Sequence, residues 1–346
     1  MKKKIDDYLT LSGSECLLSC FYNYCNYQDI GVSESDIFII GGGLKTQYSK
    51  LDLNEGISLN LATGVHDSVA RFSKKVGIRI TYIKNEDDKL SDSILDDKIS
   101  MDQPVIIQVD PGYLKYSFAL SGGFNLTHFI NVIGVDEGSN LLLISDGFIP
   151  TYPPSTYQGW CCRDIIRKAR KPKKNLYLEI DTEEVDYNWV MGKKKNLLII
   201  QMIRSEILEY LNGGKLDNHY CGNEAMKQFT KDISQLMDLF GEEFTEKIFK
   251  LNYELKIYGV VASRKLLFDT LVSINRDWEK EIFMEECNSL ESIIQKWNSI
   301  CFVLVRVGIL KRQDELTNLS RMASGLVEEE ENILHRIYEK LSFECQ

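Results

Sequence analysis

The sequence predicts an α+β protein: a helix carrying a cysteine set beside an antiparallel sheet over residues 1–185, with an appended all-helical domain over 196–346. Three observations carry this expectation. Short apolar runs of strand character recur at 78–83, 104–110, 127–135, 140–146 and 175–180, bounded by Gly, Pro, Asn and Asp. From Leu197 onward the apolar residues recur at helical spacing and continue so to the C-terminal end. Between these regimes, Asp181 to Lys195 is polar and charged, which marks a domain boundary.

The first element follows Leu11-Ser-Gly-Ser-Glu-Cys. Gly13 interrupts what precedes it, and Ser14 is an N-cap candidate ahead of Leu17, Leu18 and Phe21. Cys16 then falls in the first helical turn, where unpaired N–H groups and the macrodipole favour a thiolate. A cysteine attacks as thiolate, so a nucleophile belongs at such a position. The alternative for Cys16 is a small buried hydrophobe, and Cys20 and Cys25 are assigned to that class.

Gly31-Val-Ser-Glu-Ser-Asp reads as a turn and cap, and Ile37 to Ile40 as a short apolar run ending at Gly41-Gly-Gly. Those glycines lack the spacing of a phosphate-binding loop and read as a flexible turn. Val65, Val69, Phe72 and Val76 mark a helix that Gly77 stops, and Ile78 to Ile83 alternates as a strand. A short helix is expected around Ile94–Ile99.

The 127–135 and 140–146 runs flank Asp136-Glu-Gly-Ser139, so they form a hairpin. If Gly134 pairs with Asn140, His128 lies opposite Asp146 on one face, with Cβ atoms about 5 Å apart. That register is an assumption, because a slip of one residue reverses the faces. An aspartate on one ring nitrogen would hold the tautomer and leave the other nitrogen to deprotonate a thiol. A structural histidine is the competing reading.

Arg163, Arg167, Lys168, Arg170, Lys171, Lys173 and Lys174 make a basic stretch, read as a solvated helix face or, alternatively, a docking patch for an acidic partner. Helical stripes follow, among them Ile200-Ile203-Ile207-Leu211 and Leu290-Ile293-Trp297-Cys301-Leu304, and these are core. His219 and Cys221 flank Tyr220 in a loop-like setting without further ligands, so no metal site is expected. Cys161 and Cys162 are expected to be inert.

Composition bounds the function. The 346 residues hold 51 acidic and 41 basic side chains, a net charge of -10 that argues against nucleic acid as the main partner. Three N-terminal lysines precede no apolar segment, and no run looks long enough to span a membrane, so a cytoplasmic protein without membrane partners is expected. Nine irregularly spaced cysteines read as thiols.

Cysteine on an early helix, histidine on a strand and aspartate on the next strand is the chain order of papain-like enzymes. The segments Ser14-Glu-Cys-Leu-Leu, Gly31-Val-Ser-Glu, Gly41-Gly-Gly-Leu, Pro104 to Tyr116 and Thr127 to Gly134 resemble the N-terminal domain of the butirosin-biosynthesis protein H family. Ala262-Ser-Arg-Lys-Leu-Leu-Phe through Trp297 is similar, more weakly, to the companion C-terminal domain. The resemblance implies a papain-like cysteine-protease fold, related to peptidases that trim bacteriocin leaders. It also implies acyltransfer or amide synthesis from carrier-protein thioesters in antibiotic biosynthesis.

Carried over by residue, it makes Cys16 the nucleophile, His128 the base and Asp146 the residue that orients the imidazole. Two departures stand out. Glu15 precedes the cysteine where the family often has histidine, and Thr10 stands where leader peptidases place an oxyanion glutamine. The oxyanion site therefore stays open among the Cys16 N–H and the side chains of Thr10, Ser12 and Ser14.

The implied reaction moves an acyl group from the phosphopantetheine thioester of a carrier protein to Cys16 and then to a small-molecule amine. No metal or further cofactor is expected, since the thioester already carries the activation. The helical domain could cover the cleft and support a homodimer. The same three residues would equally serve a cysteine peptidase, and a non-catalytic binding module with a merely buried Cys16 is the third reading.

Overall fold

The computed structural model of the chain describes residues 2–53, 56–120, 127–151, 153–187, 193–278 and 281–344. The chain forms two compact units, one of residues 1–37 and 69–194, the other of residues 38–68 and 195–346.

The first unit is built on an antiparallel sheet in the order β4-β9-β5-β6-β7-β8. Its strands are β4 (Arg79–Ile83), β5 (Val105–Val109), β6 (His128–Asp136), β7 (Leu141–Ile149), β8 (Ser155–Cys162) and β9 (Tyr177–Asp181). The short β1 (Lys2–Lys4) pairs with the far end of β6, Lys3 opposite Val135. All nine residues of β6 are buried, as a central strand covered on both faces requires. One face carries Ile107, Val109, Ile130, Val132, Leu142 and Ile144, packed with Leu95 and Ile99 of α4 (Asp88–Ser100) and Ile166 of α5 (Arg163–Arg170).

α1 (Cys16–Tyr27) serves the other face. Nine of its twelve residues are buried, so it reads as a core helix and not as an amphipathic surface one. Asn131 on β6 donates to the Cys20 carbonyl (3.3 Å), and a Cβ on Gly147 of β7 would overlap Ser19 and Asn23 of α1. α3 (Val65–Val76) ends as the sequence indicates. Gly77 takes φ +81°, and the Ile78 N–H reaches back to the Ser73 carbonyl (2.9 Å), closing the helix with a left-handed residue.

The basic stretch is a solvated face only in part: Lys168, Lys171 and Lys174 are exposed, whereas its arginines pair with acids. Arg163 forks onto Asp96, while Arg167 and the buried Arg170 share Asp92, both acids lying on α4. These guanidinium–carboxylate pairs fasten α5 to α4 and leave less of the basic stretch for an acidic partner.

The second unit corrects two expectations. Residues 38–68, assigned from sequence to the first domain, group here, and the unit is not all-helical. Strands β2 (Thr46–Leu53) and β3 (Gly56–Thr63) form a hairpin, and β10 (Lys215–Leu216) and β11 (His219–Cys221) complete a four-stranded sheet in the order β10-β11-β2-β3. The His219–Cys221 stretch, read as loop-like, is thus a strand, with Tyr220 opposite Tyr48. Tyr48 explains the grouping: its buried ring meets Phe229 edge-on at 5.7 Å, and its hydroxyl donates to Asp232 (2.7 Å). The Ile37–Ile40 run belongs to a helix, α2 (Glu34–Ile40), because Ser33 caps it through the Asp36 N–H (3.1 Å).

Helices form the remainder: α6 (Lys193–Leu211), α7 (Gly222–Asp232), α8 (Leu236–Phe240), α9 (Phe244–Ile257), α10 (Val260–Asp277), α11 (Met284–Leu310) and α12 (Gln313–Glu344). Arg264 of α10 is buried among Tyr210, Trp297 and Glu330, and its Nε donates to Glu330 (2.9 Å). Contrary to the sequence expectation, α11 is long and apolar enough to cross a membrane by length and composition. Its Leu290, Ile293, Trp297, Ile300 and Leu304 are buried within the unit. Residues 188–192 of the expected linker, and Cys345, lie outside the described residues; the other eight cysteines are free thiols.

Candidate functional site

The segment leading to α1 is held in place by its own backbone. Asn23 clamps Leu11 from both sides, accepting from its N–H (2.8 Å) and donating to its carbonyl (3.1 Å). The Gly13 N–H bonds the Gly147 carbonyl (2.9 Å), and the Ser14 N–H bonds Glu34 Oε1 (2.7 Å). A side chain at position 13 would collide with both Glu34 and Ser19, so the close approach there requires glycine.

Glu15, not Ser14, caps the helix. Its Oε2 accepts from the Leu18 N–H (2.7 Å), so Cys16 is the first helical residue. The Glu15 side chain is wholly buried, and its Oε1 accepts a hydrogen bond from Cys16 Sγ at 3.2 Å. The backbone N–H of Phe129, the residue after His128, also faces the sulfur. Burial first, and then the adjacent Glu15 carboxylate, push the Cys16 thiol well above its usual value, and the Phe129 N–H only partly offsets them. This overturns the expected helix-end activation: in this state Cys16 is a thiol.

His128 begins β6 and Asp146 lies on β7, both buried. Their side chains meet, Nε2 to Oδ2 at 2.8 Å, but in a register other than the expected one. Gly134 pairs with Leu143, not with Asn140, and a bulge at Ile133 changes the register so that Asn131 pairs with Ser145. An aspartate that accepts in that bond fixes the ring proton on Nε2 and leaves Nδ1 as the acceptor nitrogen. Among the described residues no hydrogen bond joins Cys16 to His128; the sulfur donates to Glu15 instead.

Two further groups hold Asp146, and sequence reasoning singled out neither. Tyr116 donates its hydroxyl to Oδ2 (2.7 Å), and the Phe148 N–H donates to Oδ1 (3.1 Å). The Tyr116 ring stacks on Tyr157 of β8, centroids 4.0 Å apart and 2° from parallel. Burial and the Asp146 carboxylate push the Tyr116 phenol well up, so it stays a donor. No periodicity marks a tyrosine thirty residues from its partner, so only the fold reveals it.

The candidate oxyanion residues are not gathered. Thr10 Oγ1 is bonded to Ser145 Oγ (2.7 Å), and Ser12 is exposed. Ser14 Oγ is buried without a hydrogen-bond partner, two residues before the sulfur. Among the described residues no group of three or more His, Cys, Asp or Glu could hold a metal ion.

The buried thiol at the start of an early helix and the imidazole–carboxylate pair on an antiparallel sheet thus belong to one α+β unit. Residues 15–147, which include all three groups, match the family model of butirosin biosynthesis protein H, N-terminal, so the resemblance read from sequence holds over that segment. The match implies a biosynthetic role of acyltransferase type in antibiotic biosynthesis. No curated protein matches the chain.

Proposed function

We propose that the first unit is a cysteine-dependent acyltransferase of papain-like fold that makes amides from carrier-bound thioesters. The observation that supports this best is the His128–Asp146 pair at 2.8 Å, with the Cys16 sulfur against the N–H of the next residue on the strand. The family match over the same residues supports the acyl-transfer class.

In this reading the Cys16 sulfur attacks the thioester carbonyl on a phosphopantetheine arm. The new C–S bond forms, the old one breaks, and the thiol proton passes to the departing thiol. Exchange between two sulfurs is nearly isoenergetic and needs no strongly acidic group. An amine then attacks acyl-Cys16, and His128 Nδ1 takes a proton from it while Asp146 holds the ring. The C–N bond replaces the C–S bond, and sulfur regains a proton. Excluding water favours amide over acid as the product. Ser14 Oγ, buried without a hydrogen-bond partner, and the Cys16 N–H are the candidates to receive the carbonyl oxygen.

Intact-protein mass spectrometry after exposure to an acylated carrier protein tests this. A mass increase equal to the acyl group, absent in Cys16→Ala and discharged by an added diamine, is expected. Peptide cleavage without such an adduct would support a cysteine peptidase instead.

A further inference from the structure

Glu15 is wholly buried, is bonded to the Leu18 N–H through Oε2, and points Oε1 at the Cys16 sulfur from 3.2 Å. Capping needs only one acceptor oxygen, and a serine or aspartate would serve as well. The second oxygen lies against the nucleophile, where a carboxylate holds the thiol in its protonated state. That cost to the attacking group needs a compensating use elsewhere in the cycle.

Resting on the acyltransferase reading above, we propose that Glu15 is a second catalytic carboxylate, which receives the incoming amine and directs acyl-Cys16 toward aminolysis. Acylation replaces the S–H hydrogen by a carbonyl carbon, so Oε1 loses the S–H donor it accepts from at rest. An amine N–H can take that place beside the thioester sulfur. At neutral pH an alkylamine arrives as an ammonium ion, which a buried carboxylate attracts more strongly than it attracts water. The carboxylate therefore concentrates the amine at the acyl carbon and orients an N–H toward itself.

Atoms and charges balance. The ammonium first gives one proton to His128, which passes it to solvent. Nitrogen attacks the acyl carbon, the C–N bond forms and the C–S bond breaks. A second proton moves from nitrogen through Glu15 Oε1 to Cys16 Sγ, and the third remains on the amide. The resting S–H to Glu15 bond is thereby rebuilt. In this scheme Glu15 selects acceptors that are cationic primary amines, and Cys16 is kept as an unreactive thiol between turnovers.

The test compares the parent with Glu15→Gln and Glu15→Asp, using an acyl N-acetylcysteamine thioester and 1,3-diaminopropane. Glutamine keeps an oxygen for the Leu18 N–H, and a melting curve reports folding separately. The readout is the ratio of amide to free acid from acylated enzyme, which a merely structural cap would not move. In Glu15→Gln this ratio is expected to fall about tenfold or more, with recovery in Glu15→Asp. The Gln variant should also prefer a neutral acceptor such as hydroxylamine relative to the parent. An unchanged amide-to-acid ratio in a folded, acylated Glu15→Gln protein overturns the role of Glu15. Failure of the parent itself to become acylated overturns the acyltransferase reading instead.

Discussion

His128 and Asp146 are diagonal neighbours across β6 and β7, and the bulge at Ile133 is what puts them on one face. Continued from the Asn131–Ser145 pair, the register sets His128 against Phe148, two residues from Asp146 and therefore on the same side. In the register of the hairpin end, where Gly134 meets Leu143, the offset would be odd and the two side chains would point to opposite faces. The bulge has its own support, since the Ile5 N–H bonds the Ile133 carbonyl (2.9 Å).

Asp146→Asn replaces the acceptor for His128 Nε2 with an amide and disturbs the tautomer. Turnover to amide is expected to fall by up to about 10⁴-fold, the size of the drop such a change causes in a serine triad. Steady-state assays on carrier-bound substrate measure it. A variant as active as its parent would remove the pair from the reaction.

Tyr116→Phe keeps the stack on Tyr157 and deletes only the 2.7 Å bond to the buried Asp146. A hydrogen bond to a charged acceptor is worth about 1.5–3 kcal/mol, so urea unfolding should show a loss of that size. Catalytic decline with unchanged stability would mean the hydroxyl acts on the reaction and not on Asp146 placement.

Alkylation of Cys16 by iodoacetamide is expected to be slow at pH 7 and to climb about tenfold per pH unit past pH 9, because its thiol is held above the usual value. Stability follows the same direction. Thiols raised in the fold, with Cys287 at about 11 and Cys301 at about 12, keep protons that the unfolded chain releases above about pH 8.5. Stability is therefore full below that pH and declines as pH rises toward the folded values. Melting curves between pH 7 and 11 read this slope.

Gly147→Ala would drive a methyl group to 2.1 Å from Ser19 Oγ and 2.8 Å from the Leu11 carbonyl. The backbone cannot retreat without moving Asp146 beside it. A loss of about 1–3 kcal/mol is expected, with loss of activity, whereas Gly214→Ala, with nothing near its Cβ, should be close to neutral.

Glu330→Ala strands the buried Arg264 guanidinium, and about 3–5 kcal/mol of stability should be lost. Pairing it with Arg264→Met removes both charges and should recover much of that loss. Chemical denaturation of the two variants separates the outcomes.

Much of the site was legible from local pattern. Gly13 ahead of Cys16, the strand runs at 105–109 and 141–146, and the helical regime after Leu197 are signals that neighbouring residues impose on one another. The hairpin β2–β3 was missed, because its partner β11 is more than 150 residues away. The arginines of the basic run 163–174 were misjudged for a related reason: their acids sit on α4, some seventy residues earlier, while Lys168, Lys171 and Lys174 are exposed as expected.

Residue order and spacing alone determined which side chains were candidates, namely Cys16, His128 and Asp146, since helix and strand periods follow from short-range sterics and apolar alternation. Tertiary structure decided what those side chains meet. Burial of the sulfur, with the Glu15 carboxylate beside it, made the cysteine a thiol, the Ile133 bulge brought Asp146 to the histidine, and Tyr116 arrived from a distant loop. Desolvation and register depend on groups far apart in the chain, and these are quantities that no local pattern encodes.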